Sequence, residues 1–355
     1  MGEWSRRIHR AGASPDREPS SIVSPRRASL PTQPTVLVVG AASRDIASED
    51  ARGWRLGGAV TYGSLTLARF GLRVRALIGV GAEAARAEEL DMLRDAGAEV
   101  VLARLARGPV FENIESPEGR LQRCLSVADP IPMSALPDAW RGNDAVFLGP
   151  VARELDEGWA SIPAHRVVLG WQGLLRNLRA GDDVTRRPPA GHPLLAMASL
   201  VGASRDDFAP GTTPESLRLL VAPGATLVLT DGASGGLVLE REREVRDDPP
   251  GQPYPAIPSD GVIDATGAGD VFLAAMLAAR LQPALIPGTG PSSSDALPGA
   301  IRLAAATASL AVEAPGVLGV PSLAAALRRA TRPPRRASRR PSATSSRGNG
   351  RPSQA

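Results

Sequence analysis

Short apolar runs alternate with helix-like stretches from about residue 35 to about residue 330. TVLVVG (35–40), VRALIGV (74–80), AEVVLA (98–103), DAVFLG (144–149), HRVVLG (165–170) and ATLVLT (225–230) have strand length, and most are rich in β-branched residues. LLAMASLV (194–201) is read as a further strand. Between them Gly58–Phe70, Glu83–Ala96 and Val271–Leu281 read as helices. The alternation predicts a parallel sheet with helices on both faces. One region breaks the rhythm. PVFENIESPEGRLQRCLSVA (109–128) has two extended segments around Pro-Glu-Gly and no helical period, which predicts an antiparallel hairpin off the main sheet. Local sequence favours a plain edge hairpin over a lid.

The flanks have no such pattern. Residues 1–34 and 331–355 are rich in Ser, Pro and Arg and are expected to be disordered tails. The folded domain is therefore expected over 35–330. The chain contains no lysine, so all 41 basic residues are arginines. This excludes a Walker-type Gly-x-x-x-x-Gly-Lys loop and Schiff-base lysine chemistry. The net charge of +4 is unevenly spread, since residues 35–330 hold 28 arginines against 34 acids. A nucleic-acid role would have to rest on the tails alone, and 3% aromatic residues also speak against base stacking. No apolar run has the ~20 residues of a membrane span. Cys124 is the only cysteine, so no intrachain disulfide forms and a reducing, cytoplasmic setting is expected. Three scattered histidines and that cysteine do not suggest a structural zinc site.

Candidate chemistry concentrates in VIDATGAGDVF (262–272). Val262 and Ile263 read as the end of an extended segment, and good helix formers follow from Val271. Gly267 and Gly269 then stand at a loop-to-helix junction, where unpaired N–H groups and the helix dipole favour an anion. Asp270 could serve simply as the helix cap. Capping alone does not need Gly-Ala-Gly, which is costly in chain entropy. Backbone donors for a transferring phosphoryl group, beside a carboxylate that takes a hydroxyl proton, account for both features. At a helix N-terminus Asp270 is expected to have a lowered pKa and to be a weak base.

Asp264-Ala-Thr-Gly-Ala-Gly-Asp270 resembles the C-terminal signature of the PfkB, or ribokinase-like, carbohydrate kinases. Four further segments resemble family motifs in the family's order: VVGAASRD (38–45), LGGAVTYGSLTLARFG (56–71), LVLTDGASGG (227–236) and AAATASLAVEAPG (304–316). The resemblance covers about residues 35–325. It implies a three-layer α/β/α sandwich with a small β-sheet lid, drawn from parts of 45–57 and 109–128. It implies phosphorylation of an alcohol by Mg-ATP, with Asp270 as catalytic base and Gly267, Ala268 and Gly269 in the anion hole. Asp45, Gly57 and Gly58 would bind substrate, while Thr230, Gly232, Gly235 and Asp264 would lie on the nucleotide side.

Two departures stand out. Tyr62 replaces the asparagine usual in the di-glycine motif, which points to an altered substrate pocket. The Asn-x-x-Glu motif that organises Mg²⁺ is replaced by Ser204-Arg-Asp-Asp207, leaving Asp207 as the metal-side carboxylate, able to act through water. The expectation is a kinase for a sugar or sugar-like molecule. A nucleoside kinase with Tyr62 stacking on the base, and a non-catalytic sugar or nucleotide sensor, are the alternatives. The lid leaves a homodimer open. Gln172, Arg176 and Arg179 in GWQGLLRNLRAGD, and Arg120 and Arg123 in the hairpin, are read as surface arginines and neighbours outside the catalysis.

Overall fold

The computed structural model describes residues 33–116, 119–242, 250–286 and 296–333. The expected tails, residues 117 and 118 of the hairpin turn, and the side chain of Arg120 lie outside the described residues. Strands β1 (Thr35–Ala41), β2 (Arg44–Ile46) and β3 (Trp54–Leu56) precede helix α1 (Ala59–Arg69) and β4 (Arg73–Val80). Then come α2 (Glu89–Asp95), β5 (Glu99–Arg104), β6 (Val110–Ser116), β7 (Gly119–Ser126), β8 (Ala145–Leu148) and β9 (Val167–Gly170). A ribbon of β10 (Arg176–Asn177) and β11 (Thr185–Arg186) leads to α3 (Pro193–Met197), β12 (Leu200–Ser204), α4 (Pro214–Arg218) and β13 (Thr226–Thr230). The described chain ends with β14 (Gly236–Glu240), β15 (Gln252–Tyr254), α5 (Ala268–Leu281), α6 (Ala296–Ala311) and α7 (Leu323–Ala330).

Nine strands form one sheet in the order β15-β14-β13-β12-β9-β8-β1-β4-β5. From β13 to β5 every pairing is parallel, as the alternation predicts, but β14 and β15 add an antiparallel edge. The residues of β8 and β9 are all buried, so both faces of the sheet centre are covered. Helix α5 packs among α1, α6 and the strands β9 and β12, and Val271–Ala279 are buried all round it. Its alanines keep the helix narrow, which lets α1 and α6 approach closely without aromatic filler. The chain thus adopts the ribokinase-like α/β fold.

Three element expectations need correction. The helix read over Glu83–Ala96 is a short turn at Ala84–Arg86 followed by α2. LLAMASLV is not one strand. His192 caps α3, with Nδ1 accepting the Leu194 N–H and Pro193 at the first turn, and β12 starts only at Leu200. Val262 and Ile263 belong to no strand and are 68% exposed each.

The hairpin is part of a lid. β6 and β7 join β2 and β3 in a separate sheet of order β3-β2-β6-β7, in which β2 and β6 run parallel. The outer edge of β7 is covered by the chain itself. Gly181 donates to the Cys124 carbonyl (2.7 Å), Cys124 to that of Asp182 (2.9 Å), and Val184 to that of Gln122 (2.7 Å). A second copy pairing its backbone along β7 would have to displace this segment.

Candidate active site

On the lid side, β2 is held between β3 and β6 and carries Asp45. Gly57 and Ser43 exchange backbone hydrogen bonds of 2.8 and 3.2 Å. A Cβ on Gly57 would overlap the Asp45 carboxylate, so glycine is what allows this carboxylate to cross the backbone there. Gly58 follows at the N-cap of α1.

Across from it, Gly267 is the N-cap of α5 in the left-handed region, with φ of 76°. A Cβ there would stand 2.5 Å from several ring atoms of Tyr62. Tyr62 is 1% exposed, so it is a core residue whose ring supports the Gly267 turn rather than a surface for stacking a substrate base. Both oxygens of Asp264 are also used within the protein. Oδ1 accepts the Thr266 N–H and Oδ2 the Gly316 N–H, at 2.9 Å each. Asp264 therefore ties the glycine loop to the turn at Gly316–Gly319. Among the described residues, the N–H groups of Gly269 and Asp270 have no hydrogen-bond partner. Those two donors are the candidate anion site.

Asp270 is the third residue of α5 and makes no capping hydrogen bond. Its carboxyl keeps some solvent access but is crowded by protein, and its pKa is pushed up to about 7. Desolvation is the main cause; repulsion from Asp207 and Asp45 adds to it, and Arg176 partly offsets it. The expected lowering by the helix N-terminus is overturned. A terminal dipole is worth about 0.3–1 kcal/mol, while burial can move a carboxyl by several pKa units.

Ser204 and Asp207 form a capping box, with the Ser204 N–H donating to Asp207 Oδ2 at 2.8 Å. Gln172 donates to Asp207 Oδ1 at 3.2 Å. Burial also raises the Asp207 pKa, and Arg176 is the main counterweight. Arg176, on β10, thus acts on both carboxylates and is the site residue the sequence did not reveal. In a chain whose every basic residue is arginine, nothing local singled it out. On the donor side, Thr230 ends β13 and its hydroxyl donates to the Ala203 carbonyl at 3.4 Å. Gly232–Ser234 form an exposed turn, and Gly235 closes it back onto β14. Beneath the floor lies Glu154, 1% exposed, accepting N–H groups of Ala41 (2.8 Å), Val151 (3.1 Å) and Ala152 (2.7 Å). It joins the end of β1 to the loop after β8.

No group of three His, Cys, Asp or Glu able to hold a metal occurs among the described residues. Asp207, with both oxygens already accepting hydrogen bonds, suits a cation that keeps its water shell, as Mg²⁺ does. The mutual repulsion of three carboxylates fits the same charge.

Comparison with known proteins agrees with this fold. Residues 194–322 match the pfkB family carbohydrate kinases. No curated protein sequence matches the chain. Among solved structures, a pyrophosphate-dependent kinase in the ribokinase family, complexed with a pyrophosphate analog and myo-inositol, is 20% identical over 79% of this chain and 96% of its own, with TM-score 0.61. The Arabidopsis thaliana ribokinase complexed with ribose and ATP is 16% identical over 85% and 100%, TM-score 0.58. The Methanocaldococcus jannaschii nucleoside kinase is 16% identical over 84% and 98%, TM-score 0.55. These likenesses define the fold as ribokinase-like. The match to the pfkB family carbohydrate kinases runs from α3 through β12, α5 and α6 to just before α7.

Proposed function

We propose that this chain transfers the γ-phosphoryl group of ATP to a hydroxyl of a sugar or related polyol. The observation that carries the proposal is Asp270 beside the unpartnered N–H groups of Gly269 and its own backbone, in electrostatic reach of Asp45, Asp207 and Arg176. Asp45, with Gly57 and Gly58 behind it, hydrogen-bonds the acceptor's hydroxyls. Asp270 takes the proton of the reacting hydroxyl while its oxygen attacks the γ-phosphorus. The bond from that phosphorus to the bridging oxygen of ADP breaks, and the proton on Asp270 later returns to solvent. The amides around Gly267–Asp270 stabilise charge on the moving group. Asp207 would hold Mg²⁺ through water, and the ion supplies neutralisation of the β- and γ-phosphate oxygens. Exposed Val262 and Ile263, just before the glycine loop, offer apolar surface for an adenine ring.

A nucleoside acceptor loses the support it drew from Tyr62, since that ring is buried under Gly267. Pyrophosphate is the alternative donor that the structural comparison raises. The test is product release from the purified protein with ATP or pyrophosphate against polyols, sugars, sugar phosphates and nucleosides, with Asp270→Asn as control. ADP formation that needs an acceptor and disappears in the control supports the reading. Turnover with pyrophosphate alone reassigns the donor. ATP binding without turnover on any acceptor leaves a non-catalytic sensor.

A further inference from the structure

At the end of the sheet where β9, β12 and β13 begin, opposite the candidate active site, lies a cavity of about 260 Å³. His165 and Arg166 line it just before β9, with Ser199 before β12, Gly224 and Thr226 at the start of β13, and Arg280 near the end of α5. No carboxylate lines this cavity. Arg280 makes one hydrogen bond, to Thr226 Oγ1 at 2.8 Å, and no carboxylate pairs with it among the described residues. Its remaining N–H groups are not sealed in the core, so they are open to the cavity. Burial works against the charge of Arg280 most of all; Glu240 attracts it through space without a hydrogen bond or ion pair among the described residues, and the weaker repulsion from Arg166 acts the other way. A largely buried guanidinium, with a second, exposed one near it, thus has no carboxylate in contact with it among the described residues.

We infer that this cavity is a binding site for a small oxyanion of the phosphate or sulfate type, bridging Arg166 and Arg280 with the hydroxyls of Ser199 and Thr226 as neighbours. It is separate from the anion hole at Asp270. The ten residues from Asp270 to Arg280 along α5 put the two ends of the helix about 15 Å apart. Fork-shaped guanidinium groups suit a tetrahedral oxyanion, and charge-assisted bonds of this kind are the strong ones.

The probe is inorganic phosphate, titrated into the full chain in a thermal-unfolding assay, against chloride at matched ionic strength. A saturating non-hydrolysable ATP analogue fills the active site throughout. Phosphate should raise the melting temperature even then, because an anion that binds only the folded state stabilises it. Arg166→Gln and Arg280→Gln should each weaken the phosphate effect about 10- to 100-fold in concentration, the loss of one charged hydrogen-bonding partner. Phosphate that stabilises only the analogue-free protein acts at the active site and overturns the inference. So does a wild-type response in both variants. If Arg280→Gln does not fold, Arg166→Gln, whose side chain is exposed, decides alone. The analogue arm rests on the proposed ATP site, whereas the two arginine variants test the cavity whatever the donor or acceptor of the kinase reaction.

Discussion

Asp270 gathers most of the chemistry in one side chain. With a pKa near 7, a large share of it is ionised at neutral pH, yet it remains basic enough to accept a proton as the acceptor oxygen attacks. Turnover should therefore rise with pH and reach half its plateau near pH 7, read from the pH profile of kcat. Asp270→Asn should lower kcat by about 10²–10⁴ while the KM for the donor changes little. Stability gives an independent readout. Because folding raises this pKa from an unfolded value of 3.8, the folded state binds the extra proton between 3.8 and about 7. The contribution is present below pH 4 and lost as pH rises through about 7. At pH 8 the Asn variant should thus melt above the wild type, with the advantage vanishing toward pH 4. Tyr62 makes the opposite kind of prediction. Tyr62→Ala should cost about 3–5 kcal/mol of stability by emptying the core beneath Gly267, measured by chemical denaturation. Gly267→Ala should impair folding and turnover together, since both its φ and the Tyr62 ring exclude a Cβ.

At the scale of elements, α5 spans the sheet from the anion hole to the opposite edge, and the lid is anchored at one edge by the main body's own segment. Both follow from where backbone donors end. The first turn of α5 leaves the N–H groups of Gly269 and Asp270 without a partner among the described residues, whereas the edge of β7 is satisfied by residues 181–184. Val184→Pro removes the donor to the Gln122 carbonyl and should loosen the lid. The readout is ATP hydrolysis without acceptor, which should increase relative to phosphoryl transfer as water reaches the site. The element reading from sequence failed where local signals overlapped. In 194–201 the apolar run is continuous across a helix and a strand, and hydrophobicity alone does not mark Ala198–Ser199 as the break. In 83–96 the helical composition is good throughout, but the chain turns extended at Ala87.

For the whole molecule, charge and fold separate. The basic surplus lies in residues 1–34 and 331–355, while the kinase domain is mildly acidic. The domain boundary is set by pairing rather than composition. Arg332 still bonds Asp260 at 2.6 Å, and Arg329 joins Asp260 to Glu313. Removal of residues 1–32 and 334–355 should leave the melting temperature and kcat/KM unchanged within error. Loss of either would give the flanks a part in the kinase.

Period-two and period-3.6 patterning, the absence of lysine and the order of five glycine-bearing motifs were enough to determine the α/β class and to point to Asp270, Asp45, Gly57 and Gly267 as candidates for kinase chemistry. Those are local properties: a run's length, a turn's glycine, a helix's first residues. The direction of the Asp270 pKa shift, the burial of Tyr62, the use of both Asp264 oxygens inside the loop and the arrival of Arg176 were decided only by the tertiary structure. Each depends on which distant segments desolvate or face a group, and burial and Coulomb interaction act through space, with no regard to separation along the chain.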